Sequence, residues 1–297
     1  MSITKTAVIT IAGKPNVGKS TLCNALVGEK IAIVSPKPQT TRGRIIGIVN
    51  TEETQLVLVD TPGFHRARNK LGDYMVRVVR DSLEYTDCVL MLVEPRAERT
   101  QAEEKLIDQV EGSGAPCVLA VNKIDTVPKD RLLEVIDSYS KRFAFDAIIP
   151  ISAKKNDGLS ELRQQLESYA QEGPGLFPED MITDQPERQL AAEILREKMM
   201  LCLDKEIPHG IAVETTSFKA RSDGVTEIEF TVYCEKSSHK GMIIGKSGAM
   251  LKKISTMARP EIEKMLESKV YMATWVRVKE NWRDNDYLIR NFGFTED

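Results

Sequence analysis

The chain has 297 residues, a net charge of −3 and 41% hydrophobic residues. This length is sufficient for two ordinary domains, and the composition excludes an intrinsically disordered protein. The small negative charge does not by itself indicate a nucleic-acid partner, although a local basic patch would be enough to bind one.

The cysteines and the N-terminal residues indicate the cellular compartment of the protein. No C-x-x-C pair is present, so we expect the cysteines to be core residues in a reducing compartment rather than metal ligands. The N-terminal residues enter a strand pattern at once, and apolar runs such as 88–93 are too short to span a bilayer. These features predict a cytoplasmic protein, with peripheral contact at the inner membrane left open.

The first half of the chain alternates short apolar runs with helical patterns. Continuous apolar runs are typical of strands buried on both faces of a parallel sheet. They occupy 6–12, 55–60, 88–93, 116–122 and 147–152, and 44–50 resembles an additional edge strand. Helical patterns lie between them at 19–28, 69–85, 102–110, 129–143 and 159–170. The sequence therefore predicts a doubly wound α/β domain over residues 1–172.

The second half has a different order of elements. Residues 173–186 are rich in glycine and proline and predict a linker. Residues 187–297 predict an α+β domain of order α-β-β-α-α-β: a helix at 187–206, strands at 210–218 and 225–235, a short helix before a glycine loop, a longer helix from about 249, and a strand at 270–278. We expect Pro260 to kink or divide the longer helix.

The segment GKPNVGKS at 13–20 matches the phosphate-loop pattern G-x-x-x-x-G-K-[ST]. It follows a predicted strand and precedes a predicted helix, so backbone N–H groups and the helix N-terminus would surround phosphates. Lys19 would reach the terminal phosphates, and the Ser20 hydroxyl would bind Mg²⁺. The motif indicates a nucleoside triphosphate without choosing the base. The predicted binding residues here are Gly13, Lys14, Pro15, Asn16, Val17, Gly18, Lys19, Ser20 and Thr21.

The segment DTPG at 60–63 follows the second core strand. Asp60 would hold Mg²⁺ through water, and the Gly63 N–H would sense the γ-phosphate. In the polar stretch 35–42 between the two motifs, Thr41, or less favourably Thr40, would complete the Mg²⁺ shell. The predicted metal residues are thus Ser20, Thr41 and Asp60, the predicted catalytic residues are Lys19, Thr41, Asp60 and Gly63, and Thr61 and Pro62 join the nucleotide site.

The segment NKID at 122–125 selects the base. The Asp125 carboxylate would accept hydrogen bonds from N1–H and the exocyclic amine of guanine, whereas adenine offers neither partner there. Asn122 would meet the other edge of guanine, and the Lys123 stem would cover the ring. After the last core strand comes SAK, comprising Ser152, Ala153 and Lys154, where the Ala153 N–H would meet the guanine O6. The sequence therefore predicts GTP rather than ATP.

These four motifs resemble those of the translation-factor-related GTPases. Phe64 follows DTPG where Ras-like enzymes carry a water-positioning glutamine, so intrinsic hydrolysis is expected to be slow and Phe64 to be a packing residue. We interpret His65 as a solvated loop residue. Asn16 resembles the asparagine by which related GTPases hold a potassium ion against the phosphates.

A second glycine loop, GMIIGKSG at 241–248, imitates the first. Its glycine spacing is one residue too short, no strand leads into it and no second N-K-x-D follows, so a second triphosphate site is disfavoured. We interpret it as the G-x-x-G turn of a KH domain, where a sugar–phosphate backbone approaches closely. Lysines are concentrated around it, whereas residues 187–297 as a whole are neutral. The predicted RNA-binding residues are Lys240, Ile244, Gly245, Lys246, Ser247, Gly248, Lys252 and Lys253. Trp275 and Trp282 are expected to be core or packing residues.

The combination of a P-loop GTPase domain, a short linker and a type II KH domain resembles the bacterial Era GTPases. PQTTR, DTPGFH, FPEDMITD and IIGKSG fit that family, so the resemblance covers nearly the whole chain. It implies binding of the 3′ end of 16S ribosomal RNA and a role in maturation of the small (30S) subunit. It also implies a monomer.

The sequence thus predicts a GTP hydrolase in which GTP orders 35–42 and 60–66 through Mg²⁺ and the γ-phosphate. Two alternatives stay open. One is an RNA-binding module with a passive GTPase domain. The other is a GTPase of tRNA modification or membrane-linked signalling, against which the KH-like region argues.

Overall fold

The structure, a computed structural model, describes residues 2–64, 67 and 69–294. It divides into two compact units. The first comprises Met1–Ala32, Thr41–Arg68 and Gly72–Asp184, and the second comprises Ile33–Thr40, Asn69–Leu71 and Gln185–Asp297.

The first unit is built on one mixed sheet. Its strands are β1 (Lys5–Gly13), β2 (Ile45–Asn50), β3 (Thr54–Asp60), β4 (Cys88–Val93), β5 (Cys117–Val121), β6 (Ala147–Pro150) and β7 (Gln171–Glu172). The helices are α1 (Lys19–Val27), α2 (Lys70–Glu84), α3 (Gln101–Ser113), α4 (Lys129–Ser140) and α5 (Leu159–Glu167). The strand order is β2-β3-β1-β4-β5-β6, with β2 antiparallel at the edge and β7 antiparallel to β1. The predicted doubly wound fold and its edge strand are confirmed.

The central strands are buried on both faces, which explains why they are continuous apolar runs. Alternate residues of β4 enter separate cores, with Leu90 in one and Val89 and Met91 in the other. Strands β1, β3, β4, β5 and β6 are parallel, so their carboxyl ends lie at one edge of the sheet. Loops that follow these ends are the usual position of a ligand site in such folds.

Within the first unit, residues 173–184 pack on the sheet although they contain neither helix nor strand. Phe177 and Met181 cover Ile46, Ile48, Val57 and Val59 on the outer face of the sheet. The Gln55 side chain donates to the Phe177 carbonyl and accepts from the Leu176 and Phe177 N–H groups. These contacts hold in place a stretch whose sequence has neither helical nor strand periodicity.

The second unit has the predicted α-β-β-α-α-β order. Its elements are α6 (Glu187–Cys202), β8 (Ala212–Ala220), β9 (Val225–Cys234), α7 (Ser237–Ile244), α8 (Ala249–Leu266) and β10 (Lys269–Val278), followed by α9 (Asp286–Asn291). Strand β9 is central, with β10 parallel and β8 antiparallel to it. Within the described residues, no helix of the chain is both long and apolar enough to cross a membrane.

Two expectations for this unit are wrong in part. Pro260 does not divide the second long helix, because α8 continues from Ala249 to Leu266. Ile254, Ala258 and Ile262 recur every four residues and are buried, which holds one face of α8 on the core across the proline.

The two tryptophans also differ from each other. Trp282 is fully buried, as expected, and its Nε1 donates to the Gly210 carbonyl at 2.9 Å. Trp275 is 60% exposed, so its predicted core position is wrong. In β10 the residues Val270 and Val276 face the core, and Trp275 has the opposite parity on the strand.

Candidate nucleotide and nucleic-acid sites

The phosphate-loop segment forms a tight turn between β1 and α1. A Cβ at Gly13 would lie 2.7 Å from the Leu92 carbonyl oxygen, and one at Gly18 would lie 2.3 Å from the Asn122 Nδ2. Gly18 also has a φ of 108°, which side chains rarely adopt. Glycine is therefore required at both positions. The first N–H groups of α1 have no partner within the helix, as at any helix N-terminus.

Lys19 lies inside this loop rather than on its surface. Its Nζ donates to the carbonyl oxygens of Gly13 at 3.2 Å and Lys14 at 3.3 Å. Burial lowers the pKa of Lys19 to about 8, in spite of the charge of Asp60, which raises it. An anionic group against this ammonium would favour its charged form, as a phosphate does.

The structure brings the three predicted metal residues together. The Ser20 and Thr41 hydroxyl oxygens lie 2.8 Å apart, and the Ser20 hydroxyl donates to Asp60 Oδ2 at 2.7 Å. Burial raises the pKa of Asp60 to about 6, against the lowering effects of Lys19, Ser20 and Thr41. Asp60 Oδ1 is buried and has no hydrogen-bond partner among the described residues. The Thr40 hydroxyl instead donates to the Lys37 carbonyl at 2.7 Å.

The remainder of the DTPG segment packs closely on the phosphate loop. A Cβ at Gly63 would lie 2.7 Å from the backbone of Pro15, so only glycine allows this approach. The buried Thr61 hydroxyl donates to the Ile11 carbonyl at 2.8 Å. Phe64 is buried in a core with Ala12 and Val79, which is the packing role expected of it. His65, and residue 66 of the segment 60–66, lie outside the described residues.

The base-recognition segment is tied to the phosphate loop. Asn122 Nδ2 donates to the Val17 carbonyl at 2.9 Å, and Lys123 Nζ donates to the Asn16 carbonyl at 2.8 Å. The Ala153 N–H, expected at the guanine O6, donates to Asn122 Oδ1 at 3.0 Å in this structure. Asn122 therefore joins three loops in addition to the base contact predicted for it.

Asp125 is exposed at the end of the base-recognition segment. Its Oδ1 accepts a hydrogen bond of 2.6 Å from the Ser152 hydroxyl. That hydrogen bond, and to a smaller extent the charges of Lys155 and Lys154, hold the pKa of Asp125 below its ordinary value. The ionised, acceptor-only carboxylate is the form that recognises the N1–H and amine of guanine.

Sequence patterns missed one residue of this region. Glu94 follows β4 directly, and its carboxylate contacts both Lys14 of the phosphate loop and Lys123 of the base segment. An acidic residue immediately after a buried strand at the ligand edge of the sheet was the available signal. No short motif contains it, because its partners are distant in sequence.

The second glycine loop joins two helices, as predicted. Helix α7 ends at Ile244, Gly245 has a φ of 74°, and Gly248 has a φ of 80° before α8 begins. A Cβ at Gly245 would lie 2.7 Å from Met250 Cβ, whereas one at Gly248 would meet nothing within 4 Å. Ser247 between them also has a positive φ of 51°. The turn therefore has an open, side-chain-free surface at Gly248.

The lysines around this turn are exposed. Ile243 is fully buried in the core, and Ile244 packs against that core while remaining partly accessible. The chain thus separates an apolar inner side of the turn from a basic outer side, which is the arrangement that backbone phosphates require. The exposed basic residues are Lys240, Lys246, Lys252 and Lys253.

The geometry of the first unit is that of a P-loop GTPase, and that of the second is a KH domain in which β10 runs parallel to the central strand. Comparisons with known proteins agree. A family model described as a 50S ribosome-binding GTPase matches residues 8–123, and a KH domain model matches residues 206–283. The chain is therefore a GTP hydrolase with a C-terminal KH domain.

Relatives that match over nearly their full length identify the family of GTPases to which the chain belongs. GTPase Era of Ruminiclostridium cellulolyticum is 50% identical over 290 residues, covering 98% of this chain and 97% of the relative. GTPase Era of Clostridium kluyveri is 49% identical over 98% of this chain and 99% of the relative. The chain belongs to the Era family of GTPases.

Two solved structures extend this similarity to the fold. Era in complex with MgGDPNP and nucleotides 1506–1542 of 16S ribosomal RNA has a TM-score of 0.95 and 38% identity, covering 98% of this chain and 99% of that one. An Aquifex aeolicus Era variant bound to GDP·AlF4⁻ has the same TM-score, identity and coverage. The expected family and fold class are confirmed.

Proposed function

We propose that this GTPase binds the 3′ end region of 16S ribosomal RNA through its KH domain and acts as a GTP-switched maturation factor of the 30S subunit. The observation that carries the proposal is the open turn at Gly245–Gly248 with its exposed lysines. A family member of the same fold is complexed with that RNA region and a GTP analogue. We assign the GTPase domain to residues 1–172, the linker to 173–186 and the KH domain to 187–297.

Guanine specificity is assigned to the base-recognition segment. The exposed, ionised Asp125 carboxylate accepts from the guanine N1–H and amine, and the Ser152 hydroxyl orients it by a 2.6 Å hydrogen bond. An adenine base would leave the carboxylate facing an acceptor, so ATP is rejected. We assign the stem of Lys123, whose Nζ donates to the Asn16 carbonyl, to cover the base.

Mg²⁺ fits the oxygen set formed by Ser20, Thr41 and Asp60. Hydroxyl and carboxylate oxygens are ligands for hard cations, and a cation would compensate the buried charge of Asp60, whose Oδ1 has no partner among the described residues. When bound with GTP, Mg²⁺ neutralises charge on the β- and γ-phosphates. Asn16 is proposed as a potassium ligand, on its resemblance to related GTPases.

Hydrolysis is assigned to positioning by the described residues. Lys19 binds the terminal phosphates, the Gly63 N–H meets the γ-phosphate, and Thr41 is held beside Ser20. The Phe64 side chain is buried and has no hydrogen-bonding group, so it does not orient water. Slow intrinsic turnover follows, and loss of the γ-phosphate releases the segments around Thr41 and Gly63.

The proposal is tested by binding a single-stranded oligonucleotide of the 16S 3′ end to the purified chain with GDPNP, with GDP and without nucleotide. We expect sequence-dependent binding that changes between GDPNP and GDP, and potassium-dependent GTP turnover. Undetectable turnover with RNA and potassium present would instead support an RNA-binding module with a passive GTPase domain. Binding that is equal for an unrelated oligonucleotide would reject the assigned RNA.

A further inference from the structure

One carboxylate connects the two halves of the nucleotide site. Glu94 lies at the carboxyl end of β4, between the phosphate loop and the base-recognition segment. Its Oε1 lies 2.6 Å from Lys123 Nζ, and its Oε2 lies 3.1 Å from Lys14 Nζ. The two oxygens thus bind one lysine from each segment.

Further contacts limit where these lysines can go. Lys14 Nζ also lies 3.3 Å from Glu103 Oε1, and Lys123 Nζ also donates to the Asn16 carbonyl at 2.8 Å. Glu103 is buried and caps α3 through Thr100, so it is fixed independently of the nucleotide site. The Glu94 side chain is only 18% exposed, which limits competition from water.

The backbone conformation of Lys123 is a second reason to expect that contacts with other segments hold this residue in place. Lys123 has a φ of 65° and a ψ of 35°, a left-handed conformation that a lysine adopts only at an energetic cost. Contacts of its side chain with Glu94 and Asn16 hold this conformation. Asp125, the residue assigned to the base, follows two positions later in the same segment.

The ionisation state of Glu94 is consistent with this arrangement. Burial disfavours the charged carboxylate, but the hydrogen bonds and charges of Lys123 and Lys14 outweigh burial and lower the pKa of Glu94. Glu94 is therefore a carboxylate at neutral pH. The more distant guanidinium of Arg96, at 3.7 Å, is largely exposed and adds little.

We propose that Glu94 is a positioning residue for nucleotide binding, which holds the phosphate loop and the base-recognition segment at the spacing that one guanine nucleotide spans. This inference rests on the proposed guanine-nucleotide site and extends it beyond the motif residues. Because GDP and GTP both span the two segments, Glu94 contributes equally to binding of both. It contacts no group that changes charge during hydrolysis, so its contribution is made before the chemical step.

One effect of substituting Glu94 would strengthen nucleotide binding instead of weakening it. Removing the charge of Glu94 would leave Lys14 with less neutralisation, and a freer ammonium could attract phosphate. Glu103 still pairs with Lys14 after the substitution, however, so most of that charge stays compensated. Glutamine keeps one oxygen acceptor but loses the negative charge that pairs with both lysines. This loss is the larger effect, so weaker binding is expected.

The test compares E94Q with E104Q in the full-length chain. Glu104 is a matched control, because it is also a carboxylate bound to two cations, Arg99 at 2.5 Å and Arg142 at 2.8 Å, which belong to no nucleotide-binding motif. Release of a fluorescent GDP and of fluorescent GDPNP is followed by stopped flow. E94Q is expected to release both about tenfold faster than wild type, with E104Q unchanged.

Three further readouts separate positioning from general stability. The rise in Tm on adding GDP should shrink for E94Q only. The KM for GTP should rise with kcat at saturation within about twofold of wild type. E94D should retain part of the affinity. Equal release rates for E94Q and wild type, or slower release by E94Q, would overturn the inference, whereas absence of GDP binding by wild type would overturn the proposed nucleotide site itself.

Discussion

The chain contains two loops that share the tripeptide Gly-Lys-Ser, GKPNVGKS and IIGKSG, and they differ in what surrounds them. The first follows a buried strand and leads into α1, and its Lys19 is buried with carbonyl oxygens around the ammonium. The second follows a helix and leads into α8, and its Lys246 is exposed. We therefore assign the first loop to an enclosed anion and the second to an anion bound at an open surface.

Glycine therefore has a different structural role in each of the two loops. An added Cβ would strike the Leu92 carbonyl of β4 at Gly13 and the Asn122 side chain at Gly18, because the chain closes tightly there. At Gly248 an added Cβ would meet nothing, and glycine serves the positive φ and leaves the surface accessible. A compact phosphate chain suits the first environment, and an extended sugar–phosphate backbone suits the second.

The largest expected effect is on base recognition in the first unit. Asp125→Asn replaces an acceptor-only carboxylate by an amide, whose N–H group faces the guanine amine. We expect GDP affinity to fall by at least about 100-fold, because paired donors become unpaired. Xanthosine diphosphate, with a carbonyl in place of the amine, should bind the variant better than GDP does.

Calorimetric titration of both nucleotides measures this change. The exposed Asp130→Asn serves as a control of equal charge change in the same unit. RNA binding without nucleotide should be unaffected in both variants. If Asp125→Asn bound GDP as tightly as wild type, guanine recognition would have to be assigned elsewhere.

The next effect separates charge from shape at the second loop. Gly248→Asp fits the open space, and Asp and Asn tolerate a positive φ better than other residues. The added carboxylate would repel a bound phosphate, so we expect RNA affinity to fall about 10- to 100-fold. Gly248→Asn has the same shape without charge and should lose much less.

Fluorescence anisotropy with a 16S 3′-end oligonucleotide measures this difference. GTP turnover without RNA should stay at the wild-type value, and an unchanged urea denaturation curve shows that the second unit folds in the variants. Gly241→Ala, at a position with open space and no positive φ, should leave RNA affinity unchanged. Equal RNA affinity for Gly248→Asp and wild type would remove the loop from the RNA site.

A smaller effect concerns the lysines of α8. The double variant Lys252→Gln with Lys253→Gln should weaken RNA binding about tenfold at low salt. It should also reduce the slope of log K against log[salt] by about 0.7 for each phosphate that the variant no longer neutralises. Lys264→Gln is the control, because it lies three turns further along the same helix. An unchanged salt slope in the double variant would exclude these lysines from phosphate binding.

The smallest expected effect concerns the stability of the second unit. Trp282→Phe removes the donor to the buried Gly210 carbonyl and should lower the free energy of unfolding by about 1–3 kcal/mol. Trp275→Phe, at an exposed position, should change it by less than about 0.5 kcal/mol. Urea denaturation of the full chain compares the two, and a larger loss for Trp275→Phe would contradict their placement.

Much of this architecture could be predicted because its physical causes are local. Strands such as β4 are continuous apolar runs since both faces are buried, and the loop motifs follow strand ends where parallel sheets place ligands. The edge strand β2 and the order of the second unit were predicted for the same reason.

Other features depend on contacts that no local pattern contains. Strand β7 has two residues and exists only because Lys5 and Thr6 of β1 pair with them. Glu94 contacts lysines that are distant from it in sequence, and Asn122 is shared among three loops. Strand parity could have predicted the exposure of Trp275, because Val270 and Val276 define the inner face of β10 and Trp275 has the opposite parity.

The most direct test is to photocrosslink two probes to the same wild-type protein and to map the attached peptides by mass spectrometry. A photoreactive GTP analogue should attach within 122–125 and 152–154, and a photoreactive 16S 3′-end oligonucleotide should attach within 237–266. Crosslinks of the RNA to residues 13–20, or of the GTP analogue to residues 241–248, would contradict the division of the two loops between nucleotide and RNA.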